Sequence, residues 1–156
     1  MTLVCFDFQT LELHDCYRLL IGTVVPRPIA WVTTINKQGL PIAAPYSFFN
    51  CLSSDPPTLA LGIVNREEQN FKDTAWNIRT TEAFTVNIVD RTNINVMNIT
   101  ATVFGDEINE LKKAGLTMEQ GSTVKSPRIL EAPVSIEYIR RESHASFIGP
   151  YTIGDG

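Results

Sequence analysis

Side chains able to act as acid, base or nucleophile are scattered through this sequence and form no catalytic pattern. His14 and His144 lie far apart, in no HExxH or GxSxG context, so each reads as a structural histidine. Cys5, Cys16 and Cys51 are an odd count with no CxxC spacing, which argues against a disulfide framework and a structural zinc site. Cys5 and Cys16 read as apolar packing residues rather than nucleophiles. Asp55, Asp106 and Glu107 have no obvious partner for paired acid–base work. A cofactor that carries its own reactivity suits such a chain, because the protein then supplies only binding, orientation and electrostatics.

Two stretches have the composition to hold one. Residues 25–57 read VPRPIAWVTTINKQGLPIAAPYSFFNCLSSDPP. Prolines at 26, 28, 45, 56 and 57 place strand ends and loops here, since proline lacks a backbone donor. The small-polar run 43–50 suits a planar, hydrogen-bonding ring. The stretch Ala44-Pro45-Tyr46-Ser47-Phe48 can offer the backbone N–H groups of its residues other than proline and a hydroxyl, and Asn50 can both donate and accept. Trp31 or Phe48 can wall the ring's face. A turn packed on the core accounts for the same composition. The second stretch is Lys72-Asp73-Thr74, at the start of an expected helix. Free N–H groups and the positive dipole end suit a phosphate there, with Lys72 adding a charge and Thr74 a hydroxyl. An ordinary capped surface helix, with Asp73 or Thr74 as N-cap, is the alternative.

The elements that must position these residues follow from periodicity and turn chemistry. Residues 14–21 read as a short helix stopped by Gly22. Strands are expected over 29–35 and 40–44, joined by a hairpin turn through Asn36-Lys37-Gln38-Gly39. A third strand is expected over 58–64, with Leu59, Leu61 and Ile63 on one face and a small face at Ala60 and Gly62 that admits close approach. Residues 65–70 read as a loop, and 72–80 as a helix. Residues 83–89 alternate, with Phe84, Val86 and Ile88 inward and Thr85 and Asn87 outward. A helix is expected over 93–104 through Ile94, Met97, Ala101 and Phe104, then a helical piece over 109–114 ended by Gly115. Residues 117–130 read as a loop, 134–140 as a strand and 147–153 as a short strand. The pattern is mainly β with inserted helices. No repeated βαβ rhythm and no GxGxxG occur, so a small antiparallel barrel is favoured over a Rossmann domain.

Bulk properties narrow the function classes. The chain's 156 residues read as one domain, 1–156, with 44% hydrophobic and 19% charged content. Net charge is −4, and no basic cluster longer than a pair occurs, which disfavours nucleic acid as a partner. No apolar run is long enough to span a membrane and the N-terminus has no signal-peptide pattern, so a cytoplasmic protein is expected.

Five stretches in consistent order, VVPRPIAWVTT (24–34), G-x-x-x-AAPYSFFN (39–50), SSDPPTLALGI (53–63), KDTAWNI (72–78) and EAFTVNIV (82–89), resemble the flavin reductase-like family of FMN-binding split-barrel proteins. The segments 97–110 and 126–139 also resemble it. The resemblance implies a six-stranded antiparallel Greek-key barrel, FMN as cofactor, NAD(P)H as electron donor, and a homodimer with FMN at the subunit interface. It further implies that Arg27 to Thr34, including Trp31, Val32, Thr33 and Thr34, approach the flavin and its ribityl-phosphate tail, mostly through backbone and threonine hydroxyls. Pro45, Tyr46, Ser47, Phe48, Asn50 and Cys51 would line the isoalloxazine ring, with Ser47 near the N5/O4 edge and Asn50 and Cys51 near the pyrimidine edge. Lys72, Asp73 and Thr74 would lie at the phosphate. Members of that family commonly continue past this point with a Gly-Glu-Val strand, whereas residues 151–156 here read YTIGDG. The resemblance therefore implies a C-terminal part that is short or a barrel closed differently, with dimer contacts covering an open edge.

Overall fold

The structure, a computed structural model, describes residues 6–64, 71–102, 111, 114–140, 143–144 and 153–154. Helix α1 spans Leu13–Thr23. Strands β1 (Ala30–Ile35) and β2 (Pro41–Tyr46) form a hairpin, followed by β3 (Phe49–Ser54) and β4 (Pro57–Leu61). Helix α2 (Asp73–Thr81) leads into β5 (Ala83–Ile88), and α3 covers Ile94–Thr100. The rest is β6 (Met118–Glu119), β7 (Arg128–Ile129), β8 (Ser135–Ile139), β9 (Ser143–His144) and β10 (Ile153–Gly154).

The main sheet is antiparallel, in the order β2-β1-β5-β8, and β3-β4 forms a separate ladder. Among the described residues the expected six-stranded barrel is not closed: four strands make one sheet, and β3-β4, β6-β7 and β9-β10 form two-stranded ladders. The β1–β2 turn is set by Asn36, whose Oδ1 accepts from the N–H groups of Gln38 (3.0 Å) and Leu40 (2.9 Å). Gly39 takes φ +80° there, a backbone that side chains rarely adopt.

Strand β1 is covered on both faces because its two side-chain sets enter different cores. Ala30 and Val32 join Leu59, Leu61, Ile63, Ile78, Phe84 and Val86 under α2 and β4. Trp31 joins Ala43, Met97, Leu111 and Ile129 on the opposite side. This second core corrects the expectation that Thr85 and Asn87 face outward: both are 0% exposed. Asn87 is tolerated there because all its hydrogen-bonding capacity is used. Its Nδ2 donates to Trp31 O (2.9 Å) and Thr33 Oγ1 (3.2 Å), while its Oδ1 accepts from Ile129 N–H (3.0 Å) and Ser135 Oγ–H (2.8 Å).

Other boundaries move as well. Gly22 lies inside α1, which is capped at Val24. The region read as a loop at 117–130 carries the β6–β7 ladder, Met118 to Ile129. In α3 the buried residues are Met97 and Thr100, while Ile94 is 42% exposed, so the inward stripe differs from the expected one. Cys16 is half-buried rather than a core residue. The expectations for 65–70, 103–110 and 147–152, the side chain of His144, and Cys5, Asp106 and Glu107 lie outside the described residues. No described helix is long and apolar enough to cross a membrane.

Candidate functional site

The end of the main sheet where Ala30 pairs with Tyr46 is the end where the sequence placed its ligand. The chain leaves β2 at Tyr46, passes Ser47 and Phe48, and enters β3 at Phe49. Phe48 is fixed by its backbone and its ring. Its carbonyl accepts from Gly62 N–H at 2.7 Å, and Tyr17 of α1 meets its ring edge-on, centroids 6.0 Å apart. A Cβ on residue 62 would lie 2.9 Å from the Phe48 Cβ, so only glycine allows this approach. The small face expected at Gly62 is thus occupied by the chain's own Phe48.

Arg27 ties α1 to this segment. One terminal nitrogen, Nη1, donates to Ile21 O (2.9 Å) and to Val24 O, and Nε donates to Ser47 Oγ at 3.4 Å. Its guanidinium also lies 5.9 Å from the Phe48 ring centroid. Arg27 is therefore largely engaged with its own chain. Ser47 Oγ is an acceptor in that contact, and its own proton meets no acceptor among the described residues. Asn50 behaves similarly: its Oδ1 accepts from Cys51 N–H (2.9 Å), which leaves its Nδ2 protons without an acceptor among the described residues. Asn50 and Cys51 are both exposed on β3, and the Cys51 thiol points to Ser53 O at 3.7 Å. Burial pushes the Tyr138 phenol on β8 above its ordinary pKa, and the electrostatic influence of nearby Cys51 adds to that.

Helix α2 contributes an open N-terminus. Its N-cap is Lys72, not Asp73 or Thr74, and among the described residues no side chain caps its first-turn N–H groups. The Lys72 ammonium stands 5.8 Å from the Tyr46 ring centroid, so Tyr46 to Phe48, Arg27 and Lys72 meet at one end of the molecule. Asp73 is exposed. Thr74 is only 3% exposed.

Four of the expected residues have their side chains inside the core. Trp31, Val32, Thr33 and Thr34 are all 0% exposed. Trp31 is a core residue whose indole Nε1 donates to Thr100 Oγ1 (2.9 Å), and so it walls no ligand. The Thr33 hydroxyl donates to Pro127 O, and Thr34 Oγ1 accepts from Asn77 Nδ2 at 3.1 Å. This central strand is covered on both faces, so only its backbone is left for the expected approach to a ligand. Pro45 is half-buried in β2 opposite Trp31. Tyr17 and the Gly62–Phe48 contact escaped the sequence reading. The first has no local signal, and the second had only the small-residue face of β4.

Comparison with known proteins gives one answer from several directions. Residues 21–146 match the flavin reductase like domain. An uncharacterized protein of Aquifex aeolicus is 48% identical over 121 residues, covering 78% of this chain and 62% of that one. The Bacillus subtilis protein YwrF is 42% identical over 142 residues, covering 91% and 68%. This chain thus spans less than two thirds of the Aquifex relative's length. Among solved structures, nitrilotriacetate monooxygenase component B from Bacillus cereus superposes with a TM-score of 0.88 at 27% identity, over 99% of this chain and 79% of that one. The 2-nitrobenzoate 2-nitroreductase NbaA of Pseudomonas fluorescens gives 0.84 at 32% identity, over 97% and 73%. With its matched residues covering β1 to β8, the chain belongs to the flavin reductase like family.

Proposed function

We propose that the protein is an FMN-dependent oxidoreductase that takes hydride from NAD(P)H and passes electrons to a flavin, oxygen or a protein acceptor. Family membership supports a flavin, and the uncapped N-terminus of α2 with Lys72 beside it carries the choice of a phosphate-bearing one. A lysine offers no acceptor to the first-turn N–H groups and adds charge to the positive end of the helix dipole. Both features are compensated by an exogenous dianion. Ser47 and Asn50 fit the ring's polar edge, because each keeps donor protons that no described residue takes. Tyr46 and Phe48 supply apolar surface beside them.

Bound FMN supplies the hydride-accepting ring, and the chain supplies position and polarity. Lys72 and the α2 amides hold the phosphate. The Ser47 hydroxyl would offer the ring edge a fixed donor, which stabilises negative charge there. Asn50 Nδ2 would offer a donor to the pyrimidine edge. No side chain of this set is needed as a general acid or base. The four-stranded sheet and the β3–β4 ladder together supply the six strands of a split barrel, and the working form is a cytoplasmic homodimer. NbaA acts, by its name, as a nitroreductase, which supports an oxidoreductase rather than a structural role.

The test is the visible spectrum of the purified protein, after addition of FMN, before and after NADH and NADPH under anaerobic conditions. Retained flavin absorbance that bleaches with either nucleotide is the expected result. A sample that retains no flavin overturns the reading. The sequence carries no separate nucleotide-binding motif, and this favours a second reading as an electron carrier. Bound FMN that dithionite reduces but neither nucleotide does would select it.

A further inference from the structure

A cleft of roughly 730 Å³ opens at the opposite end of the main sheet from Tyr46 and Lys72. The register fixes this placement. Ala30 pairs with Tyr46 and Ile88, whereas Ile35 ends β1 at the hairpin and Ala83 begins β5 opposite Ile139. Helix α2 starts beside Tyr46 and ends at this cleft with Thr81. The volume lies within the roughly 300–1,000 Å³ of small-molecule sites, which combine apolar walls with a few polar groups. Ile35, Ala83, Val124 and Ile139 give the apolar part here.

The polar part is one-sided. Lys37 from the hairpin and Lys125 from the segment before β7 both line the cleft, with Glu82 as the single acidic residue among the described residues that line it. This local excess of positive charge stands on a chain of net charge −4. Lys125 makes no ion pair or hydrogen bond among the described residues, and Lys37 rests 5.5 Å from the Trp76 ring centroid. The hydroxyls cannot share the work of binding an anion, because their protons are spent. Thr81 Oγ1 donates to Asn77 O (2.8 Å) and Thr80 Oγ1 to Trp76 O (3.0 Å). Ser126 Oγ donates to Ala83 O (3.3 Å) and Thr123 Oγ1 to the Glu137 carboxylate. Among the lining side chains, the two lysines therefore supply the positive charge for an anion, with Asn36 Nδ2 as a neutral donor beside them.

We infer that this cleft is a second ligand site, separate from the flavin end, which takes a small organic anion with an apolar body. The apolar wall holds the body, and Lys37 and Lys125 hold the charge. The inference does not depend on the flavin reading.

Three probes with one apolar body separate the contributions: naphthalene-2-carboxylate, 2-naphthalenemethanol and 2-naphthylmethylammonium, each titrated into ¹⁵N-labelled protein. The carboxylate is expected to move the amides of Lys37, Thr81, Val124 and Ser126. It should bind about three- to tenfold more tightly than the alcohol, the scale of two exposed charge contacts, with the ammonium weakest. The double variant Lys37→Gln/Lys125→Gln should lose that preference and keep the alcohol's affinity. Raising sodium chloride from about 0.05 to about 0.5 M should shrink the preference in the unmodified protein, since salt screens exposed charges. Shifts confined to the Ser47–Lys72 end, equal affinity for carboxylate and alcohol, or a preference that survives the double variant would each overturn the proposal. Repeating the titration with FMN present keeps the two questions apart: absence of flavin binding leaves the cleft's shifts readable.

Discussion

At the residue scale, Lys72 is an unfavourable choice for the position it holds. An ammonium at a helix N-cap repels the dipole and caps nothing, so the helix alone gains nothing from it. Lys72→Ala should therefore leave stability in urea unchanged or slightly raised. It should weaken FMN binding by about 1–3 kcal/mol, the scale of a charged hydrogen bond, or about five- to 150-fold in Kd. Fluorescence titration with FMN measures this, and an affinity within about twofold of the parent would move the phosphate elsewhere. Gly62 is constrained in the opposite sense, by shape alone. In Gly62→Ala the new methyl carbon would stand 2.9 Å from the Phe48 Cβ, far inside van der Waals contact. Overpacking of this kind costs about 1–3 kcal/mol. Here it also pushes Phe48 and its neighbour Ser47, so the variant should lose both urea stability and FMN affinity. Full retention of both would show that β3 and β4 can part without consequence.

At the element scale, Glu137 of β8 shows how a strand organises a loop. Its carboxylate accepts from the N–H groups of Ser122 (2.8 Å), Thr123 (2.6 Å) and Val124 (3.2 Å) and from the Thr123 hydroxyl (2.6 Å). These contacts, the Thr123 hydroxyl foremost, hold its pKa down to about 2 from 4.5. A carboxylate with a depressed folded-state pKa stabilises the fold fully above its unfolded value. That contribution is lost as pH falls from about 4.5 towards 2. The urea midpoints of the parent and Glu137→Gln should therefore differ at pH 6 and draw together as pH falls below about 4.5. A difference that stays constant down to pH 3 would place the carboxylate outside the loop's support. Nothing in the spacing of 117–130 announced this, because the partner lies on a strand 13 to 15 residues away. What the sequence made legible was local: the Asn36–Gly39 hairpin, the alternation of β4 and β5, and a helix opening at Lys72-Asp73. What it hid was the second core. Alternation alone sends Asn87 outward, and only the arrival of α3, β7 and Leu111 on that face explains why Asn87 and Trp31 are buried there. The same cover buries the Thr33 and Thr34 side chains, since threonines on a strand look alike whether solvent or protein faces them.

At the scale of the whole molecule, the surface around α1 remains to be accounted for. Helix α1 buries none of its residues, although Leu13, Tyr17, Leu20 and Val24 recur at helical spacing. Leu13 is 78% exposed and Val24 56%, and Val25 continues the patch at 62%. Contiguous apolar surface of this kind marks a contact site. It adjoins the candidate flavin end, because Tyr17 touches Phe48 and Arg27 binds the carbonyls of Ile21 and Val24. A second copy of the chain seated on α1 would cover the stripe and approach Phe48 from outside, so dimerisation and flavin binding should be coupled. Leu13→Glu with Leu20→Glu places two charges on the stripe without touching a buried residue. Sedimentation velocity should then give a monomer where the parent gives a dimer, and FMN affinity should fall with it, recovering in part at high protein concentration as mass action restores the pair. The α1 assignment fails if the double variant remains dimeric. If it becomes monomeric but binds FMN as tightly as the parent, the subunits associate through α1 but the flavin site is complete within one chain.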